Sequence, residues 1–419
     1  MRLPEVMRGG VFTLVVGSIV AQVVALAATP LLSRLYAPGQ LAALTQLLAV
    51  SSVLAPLSTM KLEVALMLPR REAVAGRLFG LAVLSGMVVA AMFVLVLAVA
   101  SPTVVGRLVS ALPPDLRMVM PAAVLSMTLF IVLSSVATRE GSFARLATAR
   151  AVAGIVTATV GVLAGWLHGS TAGLVWALPL GQLAGLAIVL PRVKFLRSGL
   201  LCLDRLGRSA LGRYRRYPLF NGTSSALDGL RIGLPAIALG WYCTDAVVGQ
   251  YGMTFRLAAA PITLVALSVG QVNLRAVSGM VRARENAAAH VRRTLGRLWV
   301  VAGIGIIVSM LFGPAIFSVV LGPEWRLAGE YLVLLAPGLA ARFVSTPIST
   351  TLGATEHVEW EFTWRLVAFL AVLATLLLVG PTGEPRLILA SLSGVEVVLC
   401  LAMQVLAVKA ARSPRWTAR

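Results

Sequence analysis

Long apolar stretches alternate with short polar connections along almost all of the 419 residues. A hydrocarbon core about 30 Å thick requires roughly 20 apolar residues per helix, and each stretch is about that long. Runs such as LFGLAVLSGMVVAAMFVLVLAVA lack the alternation of membrane β-strands. The pattern predicts an all-α polytopic integral membrane protein with about twelve transmembrane helices, at 11–33, 41–60, 78–100, 119–138, 151–167, 171–191, 218–240, 246–272, 298–321, 329–352, 362–380 and 386–408.

The longest basic connection divides these helices into two sets of six. We therefore expect an N-terminal six-helix lobe at 1–191, a basic cytoplasmic linker at 192–217, and a C-terminal six-helix lobe with a short basic tail at 218–419. With an even number of helices per half, both halves enter the membrane from the same side. This arrangement is typical of a parallel repeat about an axis along the membrane normal.

Charge decides the orientation. The chain has a net charge of +20, and 58% of its residues are hydrophobic. Such a charge suggests binding to nucleic acid only if the basic residues share one soluble surface. Instead they occupy alternate connections, with 27 Lys and Arg residues on one side and five on the other. The positive-inside rule then predicts a multi-pass protein of the bacterial inner (plasma) membrane with both termini in the cytoplasm. The basic loops are expected to attract anionic membrane lipids and not nucleic acid.

Three arginines fall near the middle of predicted helices, namely Arg231, Arg256 and Arg342. A charge at that depth costs about 2.5 to 3.5 kcal/mol unless it faces water or a partner. Arg offers planar, bidentate donors that suit phosphate. These residues are therefore candidates for a cavity that binds an anionic headgroup. Arg34, near the end of the first helix, is a further candidate, and its alternative role is an anchor beside Tyr36 that reaches to the interface.

Acidic residues leave a structural alternative open. Asp228 lies three residues before Arg231, so the two can form an ion pair on one helix. Glu396, in the last helix, can neutralise Arg256 or Arg342, which would make these charges architectural. Desolvation favours the neutral form of a carboxyl group, so Glu396, together with Asp228, is also a candidate for ion coupling.

Lys61 and Glu63 follow the second helix and are candidates for gate or interfacial contacts. The histidines His168, His290 and His357 are scattered over different connections. The three cysteines are equally dispersed, so we predict no metal site, no disulfide and no cofactor.

Four stretches together resemble a known family: TPLLSRLYAPGQLAALTQLLAV, MKLEVALMLPRREA, YRRYPLFNGTSSALDGL and LGPEWRLAGEYLVLLAP. In this order they resemble the Wzx-type polysaccharide flippases of the multidrug/oligosaccharidyl-lipid/polysaccharide (MOP) exporter superfamily. The resemblance implies a two-lobed, MATE-like helical transporter that is not an enzyme. It implies flipping of an undecaprenyl-pyrophosphate-linked oligosaccharide to the outer leaflet, for O-antigen, capsule or exopolysaccharide synthesis. Polysaccharide polymerase and chain-length regulator proteins are the partners it implies.

Two alternatives remain. A multidrug or cation exporter of the same superfamily would be expected to carry acidic residues in its cavity, whereas the mid-helix charges here lean basic. An integral membrane glycosyltransferase or polymerase should have a large outer loop with catalytic residues. The longest outer connection, 101–118, has only Arg107, Asp115 and Arg117 as charged residues.

Overall fold

The computed structural model describes residues 5–99, 109–190, 203–215 and 217–413. Within these ranges the chain forms fifteen α-helices and no strand, and all twelve predicted helices are present. The helices are α1 Glu5–Leu35, α2 Pro38–Thr59, α3 Leu62–Ala65, α4 Glu72–Val99, α5 Val119–Arg139, α6 Phe143–His168, α7 Thr171–Val189, α8 Arg205–Tyr214, α9 Thr223–Tyr242, α10 Asp245–Arg282, α11 Ala288–Leu321, α12 Arg326–Ile348, α13 Thr350–Ala354, α14 Val358–Val379 and α15 Pro385–Arg412. Short 3-10 turns cover Pro114–Leu116, Pro323–Trp325 and Gly380–Thr382, and a π-helical turn covers Tyr217–Gly222.

The helices confirm a polytopic membrane fold. Ten segments of the described chain are long and apolar enough to cross a bilayer. The other two predicted spans form α9 and α10, which have 20 and 38 residues but are not among those ten. They carry the charged residues Asp228, Arg231 and Arg256. The protein is therefore a multi-pass membrane protein, and α9 and α10 carry three of its candidate site residues.

Several predicted helix ends are wrong, because helices continue past the apolar run. α6 begins at Phe143 and includes Arg145 and Arg150, and α10 continues to Arg282. The connection predicted at 275–297 is reduced to residues 283–287. Long basic side chains reach water or polar partners from a helix end, so charge does not end a helix. Arg150, for example, donates a hydrogen bond from Nη1 to Ser18 Oγ at 2.8 Å.

Packing divides the chain into two compact units, Met1–Trp241 and Tyr242–Arg419. This division groups α9 with the preceding helices. The predicted lobe boundary at 217/218 separates the two six-helix repeats and not the packing units, and it stays a prediction.

In the first unit α1 packs on α6, α6 on α7, and α5 on α2, α4 and α7. A buried cluster joins α4, α5 and α6 through apolar side chains, among them Leu78, Val132, Val136 and Leu146. Ala210 of α8 belongs to the same cluster, so the predicted basic linker contains a helix that is docked on this unit.

Asp204 connects α8 to α4. Its carboxylate caps α8 by accepting a hydrogen bond from the Gly207 amide at 2.7 Å. Arg77 of α4 donates to the same carboxylate from Nη2 at 2.8 Å and from Nε at 3.2 Å. The hydrogen bond from Arg77, followed by that from Gly207, holds the pKa of Asp204 below its ordinary value. The ion pair therefore stabilises the docked position of α8.

In the second unit α12 is the central helix, and α10, α11 and α15 all pack against it. A buried cluster of small and branched residues fills the contacts, among them Val277, Val291, Leu298, Val344 and Ala407. α14 packs on α15. The charged residues of this unit therefore emerge from a tightly packed helical frame.

Candidate functional site

An ion pair lies inside the second unit. Arg342 of α12 places Nε 3.6 Å from Oε1 of Glu396 on α15, and the two side chains are only 17% and 15% exposed. The helices that carry them pack along each other. Of the two partners that the sequence allowed for Glu396, the structure places Arg342 next to it.

Aromatic and sulfur side chains contact this pair. The guanidinium of Arg342 stands over the ring of Phe255, with Cζ 5.8 Å from the ring centroid. Phe255 in turn stacks on Tyr251 of the same helix, with centroids 6.0 Å apart. Cys400 contacts Glu396, with Sγ 3.8 Å from Oε1. A cation over an aromatic face gains attraction when desolvated, so Phe255 is a second partner of the Arg342 charge.

Arg256 follows Phe255 on α10 and is half-buried. Within the described part of the chain it forms no ion pair. It lies eleven residues into α10, about 16 Å along a helix that rises 1.5 Å per residue. That is about half of a 30 Å hydrocarbon core. The mid-depth position of Arg256 stays a prediction, and no described carboxylate forms an ion pair with it.

Asp228 and Arg231 pair in the first unit. Arg231 Nε lies 3.8 Å from Asp228 Oδ1 across one turn of α9, with the Arg231 side chain 9% exposed and that of Asp228 34%. Two glycines of the same helix, Gly229 and Gly233, lie directly on α2. A Cβ at Gly233 would come within 2.6 Å of Ala49 O. This close approach of backbones fixes the position of the pair.

Arg34 and Tyr36 lie at the end of α1. The Arg34 side chain is exposed in the last turn, where a cation also suits the helix dipole. Tyr36 is buried and donates its hydroxyl proton to Gly161 O at 2.8 Å. Burial raises the pKa of the Tyr36 hydroxyl. Tyr36 therefore attaches the end of α1 to α6, whereas the Arg34 side chain is exposed.

Lys61 and Glu63 lie at a sharp turn between α2 and α3. Met60 and Lys61 both adopt left-handed backbone conformations, with φ of 48° and 56°, which non-glycine residues rarely adopt. Lys61 Nζ is 3.6 Å from Glu63 Oε1. Glu63 is buried, and its Oε2 atom has no hydrogen-bond partner among the described residues. Such strain at a polar turn is typical of a functional segment, and the gate role of Lys61 and Glu63 stays a prediction.

The structure brings some of the predicted residues together and leaves others apart. Arg342 and Glu396 meet, as do Asp228 with Arg231 and Lys61 with Glu63. Arg256 stands beside Phe255, the aromatic partner of Arg342. Sequence reasoning missed Tyr251 and Phe255, which it would assign to packing. Tyr251 and Phe255 are four residues apart, a spacing that places both side chains on one face of a helix. Phe255 directly precedes Arg256, and this pattern in the sequence could have identified the two aromatic residues.

Side chains that could bind a metal ion lie apart from one another in the described chain. In the ranges that the structure describes, no three His, Cys, Asp or Glu residues come close enough to hold a metal ion.

The fold is that of the MOP-superfamily transporters, as comparison with solved structures shows. An inward-facing MATE-family multidrug resistance transporter of this superfamily superposes with a TM-score of 0.75, covering 95% of this chain and 100% of its own, at 11% identity. The lipid II flippase MurJ in its inward closed conformation gives 0.76, covering 94% and 87%, at 13% identity. A MOP-superfamily transporter from Pyrococcus furiosus, described as having a binding pocket of reverse polarity, gives 0.63, covering 99% and 97%, at 14% identity.

Sequence comparison adds no closer relationship. No family model matches the chain, and no curated protein matches it in sequence. Because the structural matches have low sequence identity, they define the architecture shared with transporters and a flippase, and they do not define a substrate.

Proposed function

We propose that this protein flips a lipid-linked oligosaccharide, carried on undecaprenyl pyrophosphate, from the cytoplasmic to the outer leaflet of a bacterial inner membrane by alternating access. The observation that carries the proposal is Arg256. A cation at mid-depth, without an ion pair in the described chain, is costly in an apolar helix unless it meets water or an anion. A pyrophosphate headgroup supplies that anion, and Arg binds phosphate through two parallel hydrogen bonds.

The fold supports the same class of activity. Its structural neighbours include a lipid flippase, and the four stretches that resemble Wzx-type flippases fit an oligosaccharide carried on a lipid. The multidrug exporter fold is equally similar, so the charge of the site distinguishes the two functions. An exporter of organic cations gains nothing from a half-buried arginine without an ion pair, because like charges repel.

Surface polysaccharide display in a strain that lacks its own flippase tests the proposal. We expect the wild-type chain to restore display and Arg256→Ala to reduce it strongly, with the lipid-linked unit accumulating on the cytoplasmic side. A hydrogen bond to a charged group contributes about 1.5 to 3 kcal/mol, so transport should fall about 10- to 100-fold. Arg256→Lys should recover part of the activity, because it keeps the charge and loses the bidentate geometry.

The matched control is Arg275→Ala, which removes an exposed arginine from the same helix and should leave display unchanged. Membrane abundance is measured for every variant. Failure of the wild-type chain to restore display, combined with export of an organic cation such as ethidium, would replace the flippase assignment with the drug-exporter alternative.

A further inference from the structure

An apolar cleft of about 500 Å³ opens between α10 and α11, with α12 as its floor. Both α10 and α11 pack on α12 but contact each other at few positions, which leaves the cleft between them. Its walls include Leu257 and Ile262 of α10, Ala302 and Ile306 of α11, and Phe343 of α12. The volume lies within the range of small-molecule sites.

Among the described residues of the lining, no charged side chain and no free hydroxyl proton is offered to a ligand. Ser309 is the only hydroxyl-bearing residue of the lining, and it donates its proton to Gly305 O of its own helix at 2.7 Å. A polar ligand here would lose its hydrogen bonds to water without replacing them. The chemistry of the walls therefore selects a hydrocarbon.

The helix that forms one wall of the cleft has an apolar surface suited to contact with lipid. Outside the cleft, α11 exposes a stripe of large apolar side chains, among them Val300, Ile304, Ile307 and Leu311. The lining residues of α11 run from Val301 to Leu321, about 30 Å along a helix. That length equals the hydrocarbon thickness of a bilayer, so the cleft suits an extended chain that lies along the membrane normal.

Cationic residues border the same walls. Leu257 directly follows Arg256, and Phe343 directly follows Arg342. Successive helical residues point about 100° apart, since a turn takes 3.6 residues. α10 and α12 therefore carry an arginine and a cleft residue on adjacent faces at the same depth. This arrangement matches an amphiphile with an anionic headgroup and a long hydrocarbon tail.

We infer that this cleft holds the polyisoprenoid chain of the anionic lipid-linked substrate while the headgroup is bound near the arginines. The inference rests on the proposed function and adds a tail site to it. Bulk phospholipid chains are the competing occupant. A phospholipid also joins hydrocarbon chains to a phosphate headgroup, so phosphatidylglycerol is the ligand against which a polyprenyl phosphate has to be compared.

Two glycines of α11 provide a matched test. A Cβ at Gly305 or at Gly303 would meet no atom within 4 Å, but only Gly305 lines the cleft. Gly305→Trp should fill the cleft, and Gly303→Trp should place the same side chain elsewhere on the helix. Gly305→Leu and Gly303→Leu form a smaller pair for the case in which tryptophan lowers membrane abundance.

The probe is a diazirine-bearing polyprenyl phosphate in proteoliposomes. We expect photolabelling of α10 and α11 peptides in the wild type and Gly303→Trp, and at least a fivefold loss in Gly305→Trp. Unlabelled polyprenyl phosphate should compete, and phosphatidylglycerol should not. Equal labelling of the two variants, or equal competition by phosphatidylglycerol, would overturn the inference.

Transport separates the two proposals. If Gly305→Trp transports the lipid-linked oligosaccharide as the wild type does, the tail site is refuted while the flippase function stands. If the wild type fails to transport it, the proposed function is refuted and the tail site with it. The expected result is a wild type and a Gly303→Trp variant that transport, and a Gly305→Trp variant at least fivefold slower.

Discussion

Arg342 and Glu396 approach within 3.6 Å from two packed helices, α12 and α15, and each side chain is more than four-fifths buried. Bringing two opposite charges out of water is costly, and their attraction offsets the cost only while both are present. The pair therefore links the two helices electrostatically. Loss of either partner leaves the other as an uncompensated charge next to Phe255.

The first prediction concerns the stability of this pair. Arg342→Gln and Glu396→Gln should each lower the free energy of unfolding by about 3 to 5 kcal/mol, the cost of leaving one buried charge unpaired. The double variant should lose much less than the sum of the two single variants. Thermal unfolding of the purified protein in detergent gives the double-mutant cycle. Additive losses would show that the two side chains do not interact.

The second prediction concerns coupling. We expect the Glu396 carboxylate to take up a proton from water when it separates from Arg342 during the transport cycle, and to release that proton to water when the ion pair forms again. Glu396→Gln should therefore abolish the dependence of glycolipid export on the pH gradient. Export is measured in proteoliposomes with and without an imposed gradient. The variant Glu361→Gln breaks a different ion pair, to Arg365 on α14, and serves as control. A variant Glu396→Gln that still responds to the gradient would assign Glu396 a purely structural role.

The third prediction separates two roles of Arg231. Its side chain is almost fully buried beside Asp228, so Arg231→Gln alone should reduce membrane abundance and transport. We expect the double variant Asp228→Asn with Arg231→Gln to recover at least half of both, because no uncompensated charge is left. Persistent inactivity of an abundant double variant would instead give Arg231 a direct role in binding the anionic headgroup.

The helices themselves were predictable, because an apolar run of about 20 residues in lipid has to be helical. Their ends were not. Arg145 and Arg150 lie inside α6. A hydropathy pattern places such residues outside a helix, although Arg150 donates a hydrogen bond to Ser18 there. The helical part of the linker also escaped prediction, since its docking depends on the pairing of Arg77 with Asp204 across 127 residues of sequence.

The site was predictable in composition and not in geometry. Their positions near the middle of predicted transmembrane helices identified Arg256 and Arg342 as charges that are costly in lipid and require partners. The sequence left open which of them Glu396 pairs with, because position along a helix does not give the direction in which a side chain points. The cleft beside them gave no signal at all. The cleft arises from the spacing of α10 and α11. Its lining residues, such as Gly305 and Ala302, are of types found in any apolar helix, so the sequence does not distinguish them.

The fourth prediction is the pH dependence of α8 docking. The pKa of Asp204 is lower in the folded protein than in the unfolded chain, so the unfolded state binds its proton first on acidification. The stabilisation is complete above the ordinary aspartate pKa of about 3.9 and is lost as the pH falls through the folded value. Asn also caps helices, so Asp204→Asn removes mainly the charge. The difference in unfolding temperature between wild type and Asp204→Asn should be present at pH 7 and vanish in acid. Glu72→Gln, at an exposed carboxylate of α4, should show no such difference.

The last prediction tests the glycines that seat α9 on α2. Gly229 and Gly233 are separated by three residues, and their backbones contact Ser52 and Ala49 of α2. Small residues at this spacing let membrane helices approach closely. A methyl group at Gly233 would overlap Ala49 O, so Gly233→Ala should lower the unfolding temperature, and Gly233→Leu should prevent accumulation in the membrane. Gly394→Ala is the matched control, because a Cβ there meets no atom within 4 Å and alanine has the higher helix propensity by about 1 kcal/mol. The control should therefore be neutral or stabilising, and equal behaviour of Gly233→Ala and Gly394→Ala would contradict close packing of α9 on α2.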